Sequence, residues 1–231
     1  GVFRKTVGSG VSRIGPSASS SLYFNQLGGT LDAQSGTLQL DQTNTSVLET
    51  GGIWNASAGA ILDFEGNTGS GTYFAGTFTG SGGGVVQLSS GRFGIDSSGA
   101  TFNFPTGLLN WTGGAFFSQP LTNKGTITLS GVNDKALGST LNNDGHLIMK
   151  GTGNLVMTSP LNNDPTGVID FQSNSGISGN SSNAVINNQG TIKKSAGTGV
   201  SRIGPAANSV CYVNQLGGTL NALKGTLQLD Q

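Results

Sequence analysis

Apolar residues along this chain recur at every second position in short runs. Gly125-Thr126-Ile127-Thr128-Leu129 sets Ile127 and Leu129 on one side and the threonines on the other. Gly36-Thr37-Leu38-Gln39-Leu40, Ala60-Ile61-Leu62-Asp63-Phe64 and Val85-Val86-Gln87-Leu88 repeat the scheme. Such alternation predicts β-strands of about three to five residues, each with one buried face. No segment sustains the i, i+3, i+4 spacing of an amphipathic helix, and glycine falls too often for helix interiors. The chain is expected to be all-β.

The strands keep a cadence. Leu121-Thr122-Asn123-Lys124-Gly125, Leu141-Asn142-Asn143-Asp144-Gly145 and Ile186-Asn187-Asn188-Gln189-Gly190 share one motif, and Leu161-Asn162-Asn163-Asp164-Pro165-Thr166-Gly167 carries it with a two-residue insertion. The glycines step by 20, 22 and 23 positions (145 − 125, 167 − 145, 190 − 167). That is one turn of a three-sided β-helix, so the fold predicted is a parallel β-solenoid of about 20–28 residues per coil with three short strands in each. Propeller blades need roughly forty residues. One coil cannot bury its Leu, Ile and Val alone; stacked at about 4.8 Å on a neighbour, it completes parallel ladders and a continuous apolar column. Thr and Ser between the apolar positions are expected to face solvent. Asn123, Asn143, Asn163 and Asn188 are expected to stack, each amide donating to the next along the axis, with asparagine's tolerance of the left-handed conformation easing the corner.

A longer period encloses the short one. Gly1 to Gln42 return as Gly190 to Gln231 at a constant offset of 189 (190 − 1). Gly10-Val11-Ser12-Arg13-Ile14-Gly15-Pro16 becomes Gly199-Val200-Ser201-Arg202-Ile203-Gly204-Pro205, and Asn25-Gln26-Leu27-Gly28-Gly29-Thr30-Leu31 becomes Asn214-Gln215-Leu216-Gly217-Gly218-Thr219-Leu220. The expected organisation is one continuous solenoid over 1–231, with one long repeat at 1–189 and the start of the next at 190–231. Nine coils per unit correspond to an axial rise of about 43 Å. Both ends of the sequence are expected to lie inside a longer precursor.

Composition sharpens this. Forty glycines and a charged fraction of only 10% are unlike a typical soluble enzyme. Net charge is zero and the eleven cations are dispersed, which gives no electrostatic footprint for nucleic acid. No apolar run approaches the roughly eighteen residues of a membrane span. The single cysteine, Cys211, cannot form an internal disulfide; its counterpart in the first copy is Leu22, which marks a small apolar core position.

Catalytic and ligand constellations are sparse. His146, the only histidine, occupies the slot of Thr126 and Thr191 in sibling motifs, an outward position. Asp63 and Glu65 share a strand face and are the better carboxylate pair for Ca²⁺; Asp144 and Asp164 fall on adjacent coils, at a turn tip held by Lys124 and Gln189 elsewhere. Gly80-Ser81-Gly82-Gly83-Gly84 lacks the Lys and Ser/Thr of a phosphate cradle. Arg13 and Arg202, and Tyr23 and Tyr212, recur with their surroundings, which records duplication rather than a site. Trp54 and Trp111 are the aromatics to weigh for sugar binding against packing at a corner or over the core. Asn44, Asn55, Asn110 and Asn180 open Asn-x-Ser/Thr triplets. No catalytic, cofactor-binding or metal residues are assigned, and no cofactor is expected.

With Gly-Thr-Ile-Thr-Leu-Ser-Gly at 125–131, Asn-Trp-Thr-Gly-Gly at 110–114 and the Asn-x-Gly coils, the sequence resembles bacterial β-solenoid surface proteins: autotransporter passengers, filamentous-haemagglutinin-like adhesins and giant extracellular repeat proteins. That resemblance implies a right-handed parallel β-helix, export to the cell surface, and a role in adhesion, surface layers or fibres. The expected function is a structural segment of an extracellular filament, stalk or fibre, not an enzyme. The expected partner is the molecule itself, end to end along the axis, covalently or in a filament, with lateral self-association or glycans as further contacts. A carbohydrate- or host-binding adhesin and a polysaccharide-degrading β-helix enzyme are the alternatives.

Overall fold

The computed structural model describes residues 1–15, 24–41, 47–66, 71–206 and 210–230. Every regular element among them is a strand, and every strand pairing is parallel. The alternating runs wind into a β-solenoid with three faces. On the first face ten strands stack, from Val11–Ile14 and Thr37–Asp41 up to Thr191–Lys194 and Thr219–Ala222, making about nine turns. The second face carries Ala115–Ser118, Lys135–Gly138, Leu155–Met157, Ile177–Gly179, Val200–Pro205 and Thr226–Leu229. The third carries Val2–Lys5 and Thr30–Ala33 low in the stack, and Leu121–Asn123, Leu141–Asn143, Leu161–Asn163, Val185–Asn188 and Tyr212–Gln215 above. Between these, Val47–Ala56, Thr72–Ser81 and Arg92–Asn103 run unbroken around the corner from second face to third, with register shifts at the bend.

Coil length varies more than the motif spacing suggests. Asn110 pairs with Thr128, 18 residues on, whereas Thr191 pairs with Thr219, 28 residues on. The surplus goes into corners, and the strands stay in register because each inward residue must sit on another inward residue.

The core is a set of vertical columns. One on the first face runs Leu40, Phe64, Leu88, Trp111, Leu129, Met149, Phe171, all buried. The lower coils are aromatic: Trp54 lies 4.4 to 5.8 Å, centroid to centroid, from Phe64, Phe74, Phe78, Phe102 and Phe104. The upper coils are aliphatic, built on Leu147, Leu155, Leu161, Ile169 and Ile186. Each such side chain contributes about 1.5–3 kcal/mol through burial.

Two sequence expectations are corrected. Thr126 and Thr128 are buried, because the turn beneath folds over the strand and Thr106 Oγ1 meets Thr126 Oγ1 at 3.0 Å. The corner asparagines do not use the left-handed conformation; among described non-glycine residues only Ser118 has positive φ. Glycine takes the bends that need it. Gly36 sits at φ +58°, and a Cβ there would lie 2.5 Å from the carbonyl oxygens of Gly8 and Gly10.

Phe102→Ala is expected to destabilise by about 3–5 kcal/mol, since the aromatic stack cannot collapse around the void. His146→Ala, on the exposed side of its strand, should stay within about 0.5 kcal/mol. Denaturant unfolding of both variants checks the contrast.

Candidate functional site

The polar groups that the solenoid places inside are its most distinctive chemistry. On the third face, the column that begins as Gly52, Phe78 and Phe102 continues upward as Asn123, Asn143, Asn163, Asn188 and Gln215. The four asparagines are fully buried. Each Nδ2 donates to the amide oxygen one coil up: 2.8 Å from Asn123 to Asn143, 2.8 Å to Asn163, 2.8 Å to Asn188 and 3.0 Å to Gln215 Oε1. The second hydrogen on each Nδ2 goes to a main-chain carbonyl across the corner, of His146, Val168, Thr191 and Thr219 in turn. Those carbonyls fix which end of each amide is nitrogen. The expected ladder is therefore present, and it extends to a glutamine that the motif spacing did not include. It ends below at Asn123, whose Oδ1 faces Phe102 and has no partner.

A second amide row lies outside, on Asn142, Asn162, Asn187 and Asn214. It runs the other way: Asn162 donates to Asn142, Asn187 to Asn162 and Asn214 to Asn187, at 2.8, 2.8 and 2.9 Å.

Two lysines point inward. Lys194 Nζ is held by the Ser173 carbonyl at 2.6 Å, Ser201 Oγ at 3.0 Å and Asn174 Oδ1 at 3.3 Å. Lys135 Nζ donates to the Asn133 carbonyl at 2.7 Å. Both are fully buried, and desolvation lowers both ammonium pKa values. Neither was singled out from the sequence, although alternation gave the signal: Ile192 and Leu137 face in, so Lys194 and Lys135 do too.

The sequence candidates do not converge. Asp63 is buried between Gln39 and Gln87, whose amides each donate to it at 3.2 Å, while the strand bulges before Glu65. Asp144 and Asp164 do fall on adjacent coils, and burial followed by the neighbouring Asp144 raises the pKa of Asp164. His146 is exposed. Trp54 and Trp111 are buried, their indole nitrogens bonded to Gln26 Oε1 and the Gly113 carbonyl at 2.7 and 2.8 Å. Cys211 is a buried free thiol whose pKa is raised by desolvation. Arg13 and Arg202 pair with Asp41 and Asp230. Asn55 accepts from the Ser81 main chain at 2.9 Å, Asn110 lies mid-strand, and Asn180 is exposed. Gly80 to Gly84 close against Trp54, Ala56 and Ser57 main chain. Leu22, Tyr23 and Asn44 fall outside the described residues.

One surface cluster was missed. On the outer side of the second face, Tyr73 and Phe117 close over Gly94, ring centroids 5.5 Å apart, with the Arg92 guanidinium 4.3 Å above the Phe117 ring and exposed Leu48 below Tyr73. Among the described residues no group of three His, Cys, Asp or Glu side chains is placed to hold a metal, and no helix is long and apolar enough to cross a membrane. No family model matches the chain, and neither a curated protein nor a solved structure matches it.

Asn163→Leu takes the acceptor from Asn143 and the donor from Asn188, so a loss of about 1–3 kcal/mol is expected in chemical unfolding, against less than about 1 kcal/mol for Asn162→Ala on the outer row. The raised Asp164 pKa means that the folded state holds this proton more tightly. Its stabilisation is full below the ordinary carboxylate pKa of 3.8 and is lost as pH rises through the folded value. Asp164→Asn should therefore flatten the stability profile across that range, as measured by thermal melts in a pH series.

Proposed function

We propose that this chain is a structural segment of a rod, an extracellular stalk, fibre or surface filament assembled from tandem 189-residue units. The observation that carries the reading is how the two copies of the 42-residue sequence behave. Val2 pairs with Thr30 and Val11 with Thr37 in the first copy; Thr191 pairs with Thr219 and Val200 with Thr226 in the second, the same separations of 28 and 26 residues. Arg13–Asp41 returns as Arg202–Asp230, and the Lys5–Ser12 bond returns as Lys194–Ser201. A sequence that rebuilds the same coil wherever it occurs is suited to extending a rod. Columns of inward residues tie each coil to the next, joined from Asn123 upward by a chain of amides, so the unit resists bending and pulling without any bound ligand.

The cell-surface setting rests on the resemblance of the motifs to exported β-solenoids and on the near absence of cysteine. In this reading the chain has no catalytic role and takes no cofactor, and its partner is its own next unit. A glycan-binding adhesin is the second reading, favoured by the Tyr73–Phe117–Arg92 cluster, whose rings lie on an open sheet face where a sugar could stack.

Electron microscopy of the native material is the test. A continuous filament with an axial repeat near 40 Å, from about 4.8 Å per coil, is expected; isolated particles with capped ends would sink the rod. A glycan array probed with the chain and with Tyr73→Ala separates the second reading: hits that vanish in the variant support it, and an empty array removes it.

A further inference from the structure

The repeat unit does not contain a whole number of turns. Val2–Lys5 lies on the third face, but its counterpart Thr191–Lys194 lies on the first. Val11–Ile14 is on the first face and Val200–Pro205 on the second. Thr30–Ala33 and Thr37–Asp41, on the third and first, return as Thr219–Ala222 and Thr226–Leu229 on the first and second. Every element advances by one face. From Val2–Lys5 the third face takes eight steps to Val185–Asn188, and the next strand, on the first face, begins the second copy. The unit is thus eight and one-third coils, which corrects the nine expected from the sequence and shortens its rise to about 40 Å.

The same 42 residues are seen from opposite sides. In the second copy the underside is covered: Thr191–Lys194 rests on Val168–Phe171, and Gln215 Oε1 accepts from Asn188 below. In the first copy the upper side is covered: Leu31 lies under Trp54 at 1% exposure, and Gln26, the counterpart of Gln215, accepts the Trp54 indole N–H at 2.7 Å on the same Oε1 while its own N–H donates to buried Glu49 at 2.6 Å. The Nε2 of both glutamines donates to the counterpart carbonyls of Gly29 and Gly218. One side-chain conformation therefore serves both contacts, and a carboxamide oxygen has two lone pairs to receive them. In the second copy the upper side is open: Leu220 is 39% exposed where its counterpart Leu31 is 1%, Ala222 is exposed where Ala33 is buried, and Leu227 and Leu229 are half-buried where Leu38 and Leu40 are buried.

We infer that the occupant of this open coil is a second unit of the same sequence, joined covalently after Gln231, whose counterparts of Glu49 and Trp54 clamp Gln215 and whose features are turned by a third of a revolution from those of the first unit. This rests on the tandem-rod reading and adds the junction chemistry and the phase. The N-terminal coil of a separate molecule is a poorer occupant, because it would bring Val2–Lys5 and Val11–Ile14 over Gln215 and Leu220 in place of the Glu49 and Trp54 segment. Three units, 25 coils, restore the starting phase, so a feature such as the Tyr73–Phe117 cluster is displayed on all three faces in turn.

The test compares the 231-residue chain with one in which residues 43–231 are repeated once after Gln231. Hydrogen exchange of Thr219–Leu229 is read in both, and Ser98→Cys in both units, in a Cys211→Ser background, is gold-labelled and viewed by cryo-electron microscopy. The expected result is exchange slowed roughly a hundredfold in the longer chain, with labels about 40 Å apart along one rod and on faces a third of a turn apart. Appending only residues 43–66 should give the same protection, so the junction remains testable if the second unit folds poorly. Trp54→Leu made only in the appended copy should reverse the protection in the extended chains, and the 231-residue chain, which lacks that appended residue, gives the unprotected baseline. One rod with both labels on the same face overturns the phase alone. Two separate bodies with Thr219–Leu229 unprotected overturn the tandem rod as well. Protection arising in the 231-residue chain through filament formation overturns the covalent junction and gives the coil to a second molecule.

Discussion

Each buried side chain in this molecule answers to the residues one coil above and one coil below it. That vertical constraint organises everything else. Main-chain ladders fix the spacing between coils, so an inward position cannot choose its neighbours; it inherits them from the register. Apolar residues satisfy the constraint by contact, and polar ones by pairing along the axis or with a main-chain carbonyl at a corner. The inner asparagines meet it because a primary amide carries donors and acceptors and can repeat indefinitely. Where the column changes from asparagine to phenylalanine, between Asn123 and Phe102, the chain of amides loses its last donor, and one buried oxygen is left over.

The aromatic and amide sections are two solutions to one packing problem. In the lower coils the strands run continuously around the corner between the second and third faces, and the interior is filled by tryptophan and phenylalanine. In the upper coils the strands are short and separate, and asparagine fills the corner while leucine and isoleucine fill the centre. Inner and outer amide rows point in opposite directions, so the dipoles of the two rows oppose each other along the axis. Lys194 belongs to the same logic. Its column position is apolar in the coil below, yet its length carries the ammonium to oxygens at the next corner.

Much of this was legible in the sequence, and the reasons differ by element. The parallel solenoid and the asparagine ladder were readable because the Asn-x-Gly motif marks one corner of consecutive coils, and a mark that recurs near every twenty-second residue locates the stack. Lys135 and Lys194 were readable only to someone who trusted alternation over charge. The burial of Thr126 depends on a turn from another coil, which no local pattern encodes. The one-third turn was not readable, because counting coils requires knowing where each corner falls. In the lower half the long strands erase those corners, and the coil from Asn110 to Thr128 is shorter than any motif spacing. For function, the sequence set sugar binding against packing for the two tryptophans, and the fold buries both in the core. Tyr73 and Phe117 took the surface because Gly94 between them leaves room for their rings.

The identical registers of the two copies on different faces have a consequence for how such a chain can lengthen. Four strands are each accepted on two different faces, so a duplication or an unequal crossover need not span whole turns to yield a folded product. It need only cut and rejoin at a corner, where residues can be gained or lost without disturbing a column. Recombination between copies of such a sequence would then be buffered at roughly every seven or eight residues, a third of a coil, and a change in unit length would turn the same chemistry to a new angle.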